Sequence, residues 1–192
     1  MAVMALEQHH VTPDSGDVVV TGASGGSGSM AVTILAEMGY SVIASTGRSE
    51  LAEYLKSLGA KDIIQRFEAP TRPFAATRWA GAIDSVGGDT LAAILTEVNY
   101  GGSVACFGLA DSANLNTSLF PFILRGVNLL GIDSVMCPRH YRIQVWDRIA
   151  EVLSAEKLDL IKQIEPMSKL PRLAHDILAG KVRGRIVIDV TQ

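Results

Sequence analysis

Apolar residues along this chain alternate between two spacings, and glycine marks most of the switches. A β-branched run at residues 18–21 breaks into Gly22-Ala-Ser-Gly-Gly-Ser-Gly28, and Met30 to Glu37 then continues with helical spacing. Residues 41–45 predict a second strand, 50–58 a short helix stopped by Gly59, and 62–64 a third strand. Residues 65–78 carry two prolines and mixed charges, which predicts an irregular crossover. Strands come next at 79–84, 102–107 and 128–132, with a helix at 90–98. This rhythm predicts an α/β fold: a doubly wound (Rossmann) parallel six-stranded sheet in the order 3-2-1-4-5-6. A ligand is expected across the carboxyl ends of strands 1 and 4.

Beyond Pro138 the pattern changes. An amphipathic helix is expected at 141–153, an extended piece at 163–165 and a second helix at 170–178. Residues 185–190 read as an apolar strand with no evident partner. The chain therefore divides into residues 1–136, the doubly wound domain, and 137–192, a C-terminal appendage of helices and strand. Residues 1–8 read as the tail of a helix that begins outside this sequence.

The glycine turn is where chemistry is expected. Unpaired N–H groups and the positive end of a helix dipole point into it, which suits a phosphate. The spacing G-x-x-G-x-x-G differs from the usual G-x-G-x-x-G, so the end of the second strand has to decide the ligand. There, where a carboxylate would meet the ribose of NAD, the chain has Ser45-Thr-Gly-Arg48 and no acid. A guanidinium in that place suits a 2′-phosphate, which predicts NADP(H).

Two other meanings of the turn fare worse. Gly22-Ala-Ser24-Gly-Gly26 fits the nucleophile turn of a hydrolase, and Asp133 with His140 or His175 would complete a triad in chain order. Only 17 residues precede that strand, too few for the strands and oxyanion loop such a fold needs first. A Walker A loop is excluded because no Lys-Ser/Thr pair stands after the glycines.

Composition narrows the partners. A net charge of −3 and the lack of a basic cluster interleaved with aromatics argue against nucleic acid. No apolar run reaches membrane-spanning length and no signal peptide is visible, which points away from the membrane and to the cytoplasm. Cys106 and Cys137, without a C-x-x-C pair, read as buried thiols, and no metal site is expected. Asp84 reads as the cap of the turn after strand 4, and Tyr100 as an anchor between helix and strand.

Seven segments run in consistent order: Val19-Val-Thr-Gly-Ala-Ser-Gly-Gly-Ser-Gly-Ser29, Ser45-Thr-Gly-Arg48, Glu53-Tyr-Leu-Lys-Ser-Leu-Gly-Ala60, Trp79-Ala-Gly-Ala-Ile-Asp-Ser-Val-Gly87, Asn99-Tyr-Gly-Gly102, Pro121-Phe-Ile-Leu-Arg125 and Gly131-Ile-Asp-Ser-Val-Met136. Together they resemble the zinc-independent medium-chain dehydrogenase/reductases, in the quinone-oxidoreductase-like branch that includes acrylyl-CoA reductases. The resemblance implies a GroES-like catalytic domain ahead of residue 1, so the catalytic residues are not assigned. It implies that residues 185–190 return to that domain. Gly25, Gly26, Ser27 and Gly28 match the pyrophosphate loop, with Ser27 where valine is usual, and Ser24 beside them is expected to be cofactor-binding. Ser45 and Arg48 match the 2′-phosphate contacts, and Gly108 and Leu109 face the nicotinamide ribose. Ile132, Asp133 and Ser134 match positions near the carboxamide, and Arg185 either approaches the phosphates or makes a surface or interdomain salt bridge. The implied activity is NADPH-dependent reduction of an activated C=C bond in a small-molecule enoyl thioester or enone. A homodimer joined through the edge strand 128–133 is also implied. The other reading is a non-catalytic NADPH-binding module or redox sensor.

Overall fold

The computed structural model describes residues 1–191; Gln192, the last residue of the C-terminal segment, lies outside them. Helix α1 (Ala2–Gln8) leads into β1 (Asp17–Val20), the glycine loop and α2 (Gly26–Glu37). Next come β2 (Ser41–Ser45), α3 (Ala52–Ser57) and β3 (Asp62–Ile64), and then the crossover. Beyond it lie β4 (Trp79–Asp84), α4 (Gly88–Glu97), β5 (Val98–Cys106), α5 (Phe120–Arg125) and β6 (Asn128–Gly131). All six strands are parallel, in the order β3-β2-β1-β4-β5-β6.

The sheet is central because its strands are apolar on both faces. In β1, Val18 and Val20 face the core beneath α1, α2 and α3, while Val19 faces the core beneath α4. Tyr40 closes one end by donating its hydroxyl to the Val11 carbonyl at 2.9 Å. At the far end Arg125 donates to the carbonyls of Thr96 and Ala75, both at 2.8 Å, and so ties the crossover to the end of α4.

The C-terminal segment comprises α6 (Arg139–Val152), α7 (Ala155–Ile161), β7 (Lys162–Pro166), α8 (Leu170–Leu178) and β8 (Arg185–Asp189). Here the sequence reading is corrected. The strand expected to lack a partner pairs in parallel with β7, from Lys162↔Arg185 to Pro166↔Asp189. Helix α8 supplies the crossover that parallel pairing requires. The segment shares the main core through Ile161, which is buried beside the residues of α2 and α3. Lys157 of α7 also pairs with Glu37 of α2 at 3.1 Å.

Three smaller expectations also change. The edge strand stops at Gly131, so Ile132 and Asp133 belong to the loop after it. Both cysteines are half-buried rather than buried: Cys106 ends β5 next to the edge strand, and Cys137 lies in the loop before α6. Tyr100 is 78% exposed and anchors nothing in the core.

Candidate functional site

A cleft of about 1030 Å³ opens at the carboxyl ends of the strands. Loops after β1, β2, β3, β4 and β5 line it, and residues 177–186 of the C-terminal segment form its opposite wall. The size is that of a cofactor site, and the position is the switch point between β1 and β4.

The glycine loop is shaped by close backbone approach. Gly22 has φ +56°, a left-handed conformation that turns the chain sharply out of β1. The α2 helix begins at Gly26, with Gly25 as its cap and no side-chain capping bond. Its first turn carries no acidic residue. The N–H groups of that turn have no intrahelical acceptor, and Gly25, Gly26, Ser27 and Gly28 all line the cleft. Such a bare, dipole-positive helix end fits a pyrophosphate. Arg185 of β8 adds charge there: an ideal Cβ on Gly26 would lie 2.7 Å from the Arg185 Cζ.

The loop after β2 supplies a second cationic point. Arg48 donates to the Ser24 hydroxyl from Nη2 at 2.7 Å and to the Val182 carbonyl from Nη1 at 3.0 Å. These acceptors are uncharged, so the positive charge is oriented without being neutralised. Burial in the cleft wall pulls the Arg48 pKa below the usual arginine value; nearby Glu50 opposes this and Arg66 adds to it. Arg66 itself lies against Gly47, whose ideal Cβ would be 2.4 Å from the Arg66 Nε. Two guanidinium groups thus converge where β2 and β3 end, a charge density suited to a dianionic phosphate ester.

The wall after β4 and β5 is braced from within. Asp84 is fully buried; its Oδ1 accepts from the Thr21 hydroxyl at 2.7 Å and its Oδ2 from the Gly87 N–H at 2.9 Å. This is the turn-capping role expected of it, and the buried carboxylate is not among the residues that line the cleft. Gly108 passes so close to the preceding turn that an ideal Cβ would lie 2.3 Å from the Ser85 carbonyl oxygen. Leu109 comes after it in the cleft and is 66% exposed.

Of the residues singled out from the sequence, Ser24, Gly25, Gly26, Ser27, Gly28, Ser45, Arg48, Gly108, Leu109 and Arg185 all line this one cleft. Ile132 and Ser134 do not. Ile132 borders a smaller, separate depression of about 340 Å³ beside Met1 and Tyr141. The Ser134 carbonyl accepts from Arg142 at 2.8 Å on an exposed loop. The chain path explains this, since β6 is the sheet edge and the loop after it runs away from the switch point.

The hydrolase arrangement is not assembled. Ser24 is buried and bonded to Arg48 and Thr46, while Asp133 accepts the N–H groups of Val135 and Met136 beside the other depression. Among the described residues no group of three His, Cys, Asp or Glu side chains is close enough to hold a metal ion.

Sequence reasoning passed over Arg66, Phe67 and Thr46, which also line the cleft. A signal existed for the first two. In a doubly wound sheet, the residues just past strand 3 open onto the same crevice as those past strand 2.

Comparison with known proteins finds the same fold in solved structures. A family profile described as zinc-binding dehydrogenase matches residues 26–151. An acrylyl-CoA reductase of Ruegeria pomeroyi is 52% identical over 193 residues, 99% of this chain and 58% of that protein. An oxidoreductase of Salmonella enterica, solved in complex with NADP, superposes with a TM-score of 0.95 at 44% identity, covering 98% of this chain and 59% of that one. A Bacillus subtilis protein solved with NAD bound superposes at 0.92 with 42% identity, covering 98% of this chain and 59% of that one. The chain thus spans about three fifths of the length of these relatives.

Proposed function

This chain belongs to the zinc-binding dehydrogenase family, and we propose that it is the NADP(H)-binding part of a reductase acting on an activated C=C bond. The substrate class is a small enoyl thioester such as an acryloyl ester of coenzyme A, or a quinone-like enone. One observation carries the cofactor choice: Arg48 and Arg66 converge at the end of β2, where the chain offers no carboxylate to a ribose hydroxyl.

In this reading Gly25, Gly26, Ser27 and Gly28 hold the pyrophosphate at the start of α2, with Arg185 balancing its charge. Ser45 and Arg48 hold the adenosine end, and Gly108 and Leu109 border the nicotinamide ribose. Bound NADPH supplies a hydride; the chain's share is to fix the ring at the mouth of the cleft and keep water from that wall. Ile132 and Ser134 would reach the carboxamide only after the loop beyond β6 moves toward the cleft. Residues 137–192 would carry the contact with a catalytic domain of the kind found in the resembling family, and β6 would join two copies as a homodimer. Free thiols at Cys106 and Cys137 fit a reducing cytoplasm.

Titration of this chain with NADPH and NADH, and then NADPH oxidation assays with acryloyl-CoA and a simple quinone, test the proposal. Tighter binding of NADPH is expected. Equal affinity for the two would remove the 2′-phosphate assignment. Selective NADPH binding without turnover, in this chain and in any longer product of the same gene, would leave a non-catalytic NADPH-binding module.

A further inference from the structure

We infer that Ser24 and Thr46 are positioning residues for 2′-phosphate selectivity, acting by fixing the Arg48 guanidinium rather than by touching the cofactor. The inference rests on the NADP(H) reading above. Its basis is the hydrogen-bond capacity of one buried hydroxyl. The Ser24 side chain, in a residue only 3% exposed, meets three partners: Arg48 Nε at 3.2 Å, Arg48 Nη2 at 2.7 Å and Thr46 Oγ1 at 3.0 Å. A hydroxyl has one proton and two acceptor lone pairs. The two guanidinium N–H groups take both lone pairs, so the Ser24 proton goes to Thr46. Ser24 is then saturated and has nothing left to offer a phosphate.

Thr46 grips the same residue at its other end. Its Oγ1 accepts the Arg48 backbone N–H at 3.1 Å as well as the Ser24 proton. The Val182 carbonyl takes one further N–H of Arg48, from Nη1 at 3.0 Å. Of the five N–H donors of a guanidinium, three are thereby occupied. One remains on each terminal nitrogen, the pair needed for a two-point grip on phosphate. Without the Ser24 hydroxyl only the Val182 carbonyl would still hold the planar group, by a single bond about which it can turn, and the fixed orientation of that pair would be lost.

Adenosine fragments isolate the effect. Calorimetric titration of the chain with 2′,5′-ADP and with 5′-AMP compares ligands that carry or lack the 2′-phosphate. Ser24→Ala is expected to weaken 2′,5′-ADP about fivefold to tenfold and to leave 5′-AMP within about twofold. In an Arg48→Ala background the same substitution should change 2′,5′-ADP by less than about twofold, because Ser24 acts only through Arg48. Thr46→Val should shift 2′,5′-ADP in the same direction, and it carries the test if Ser24→Ala does not fold. An equal loss in both backgrounds would mean direct contact with the phosphate and overturn the inference, as would an equal loss for 5′-AMP or no loss at all. Arg48→Ala that keeps the full preference for 2′,5′-ADP would instead overturn the assignment of Arg48 itself.

Discussion

An ideal Cβ on Gly28 would lie 2.2 Å from the carbonyl oxygen of Gly22. The first turn of α2 therefore rests directly on the backbone leaving β1, and the glycine loop keeps its shape only while Gly28 has no side chain. Gly25 is less confined, with the same oxygen 3.3 Å from its ideal Cβ. Gly28→Ala must push helix and loop apart. We expect a stability loss of about 2 kcal/mol, as for an overfilled core, read by thermal unfolding. Binding of NADPH and NADH should fall together if the displaced loop holds the pyrophosphate of both, as proposed. An unchanged melting temperature would show that the loop yields without cost.

Arg185 and Arg48 should differ in kind. Arg185 lies over Gly26, beside the helix end assigned to the pyrophosphate that both cofactors share. Arg185→Ala is expected to weaken NADPH and NADH equally, by about threefold to tenfold. Parallel calorimetric titrations decide the matter; a loss confined to NADPH would move Arg185 to the 2′-phosphate.

Asp84 tests whether a buried carboxylate at a strand end is scaffold or machinery. It holds Thr21, Val86 and Gly87 in one turn, so Asp84→Ala strands the Thr21 hydroxyl and the Gly87 N–H without acceptors. The expected cost is about 3 kcal/mol in unfolding free energy. Asp84→Asn, which keeps one acceptor oxygen, should cost less. Denaturant titration gives both values, and an alanine variant of wild-type stability would contradict the capping role.

The pH dependence has a defined sign at Asp17. Hydrogen bonds from Ser41 and Lys61 hold its pKa below the usual 3.8, against a smaller opposing effect of burial. A lowered folded-state pKa means stability that is present above pH 3.8 and lost as pH falls below it toward the folded value. Asp17 starts β1 and Ser41 starts β2, so the pair tethers two neighbouring strands at their entry. Lys61→Ala should reduce stability at neutral pH and make no difference once Asp17 is protonated. Acid unfolding of the two proteins should converge below pH 3.8; curves offset by the same amount at every pH would argue against this linkage.

Legibility in the sequence divides along physical lines. The order of the six strands came from local alternation and the handedness of parallel crossovers, and strands such as Ser41–Ser45 and Trp79–Asp84 lie where the pattern places them. The start of α2 is misplaced by pattern alone because glycine has poor helix propensity, yet tertiary packing of Gly28 on Gly22 holds those residues helical. The β7–β8 pairing is invisible there because the partners are separated by a whole helix and neither strand alternates strongly. Arg66 escapes notice because it stands in a stretch without periodicity; only the sheet order brings it beside Arg48.

The exposed end of the sheet yields the last prediction. β6 pairs with β5 on one side, from Ser103↔Asn128 to Cys106↔Gly131, and is the terminal strand of its sheet. Among the described residues no strand pairs with its other edge, which presents N–H and C=O groups beside half-buried Leu129 and Leu130. Ile123 and Leu124 of the neighbouring α5 are 68% and 54% exposed, so the apolar surface continues past the strand. An edge of this kind pairs readily with a second strand, and two copies can meet there about a twofold axis. Such pairing would extend the six-stranded sheet of one copy into that of the other. Leu130→Lys puts a charge into the shared face, where like charges of the two copies approach. Sedimentation should show a dimer for the parent chain and a monomer for the variant, with the same circular dichroism; a parent chain that sediments as a monomer at all concentrations would refute edge pairing.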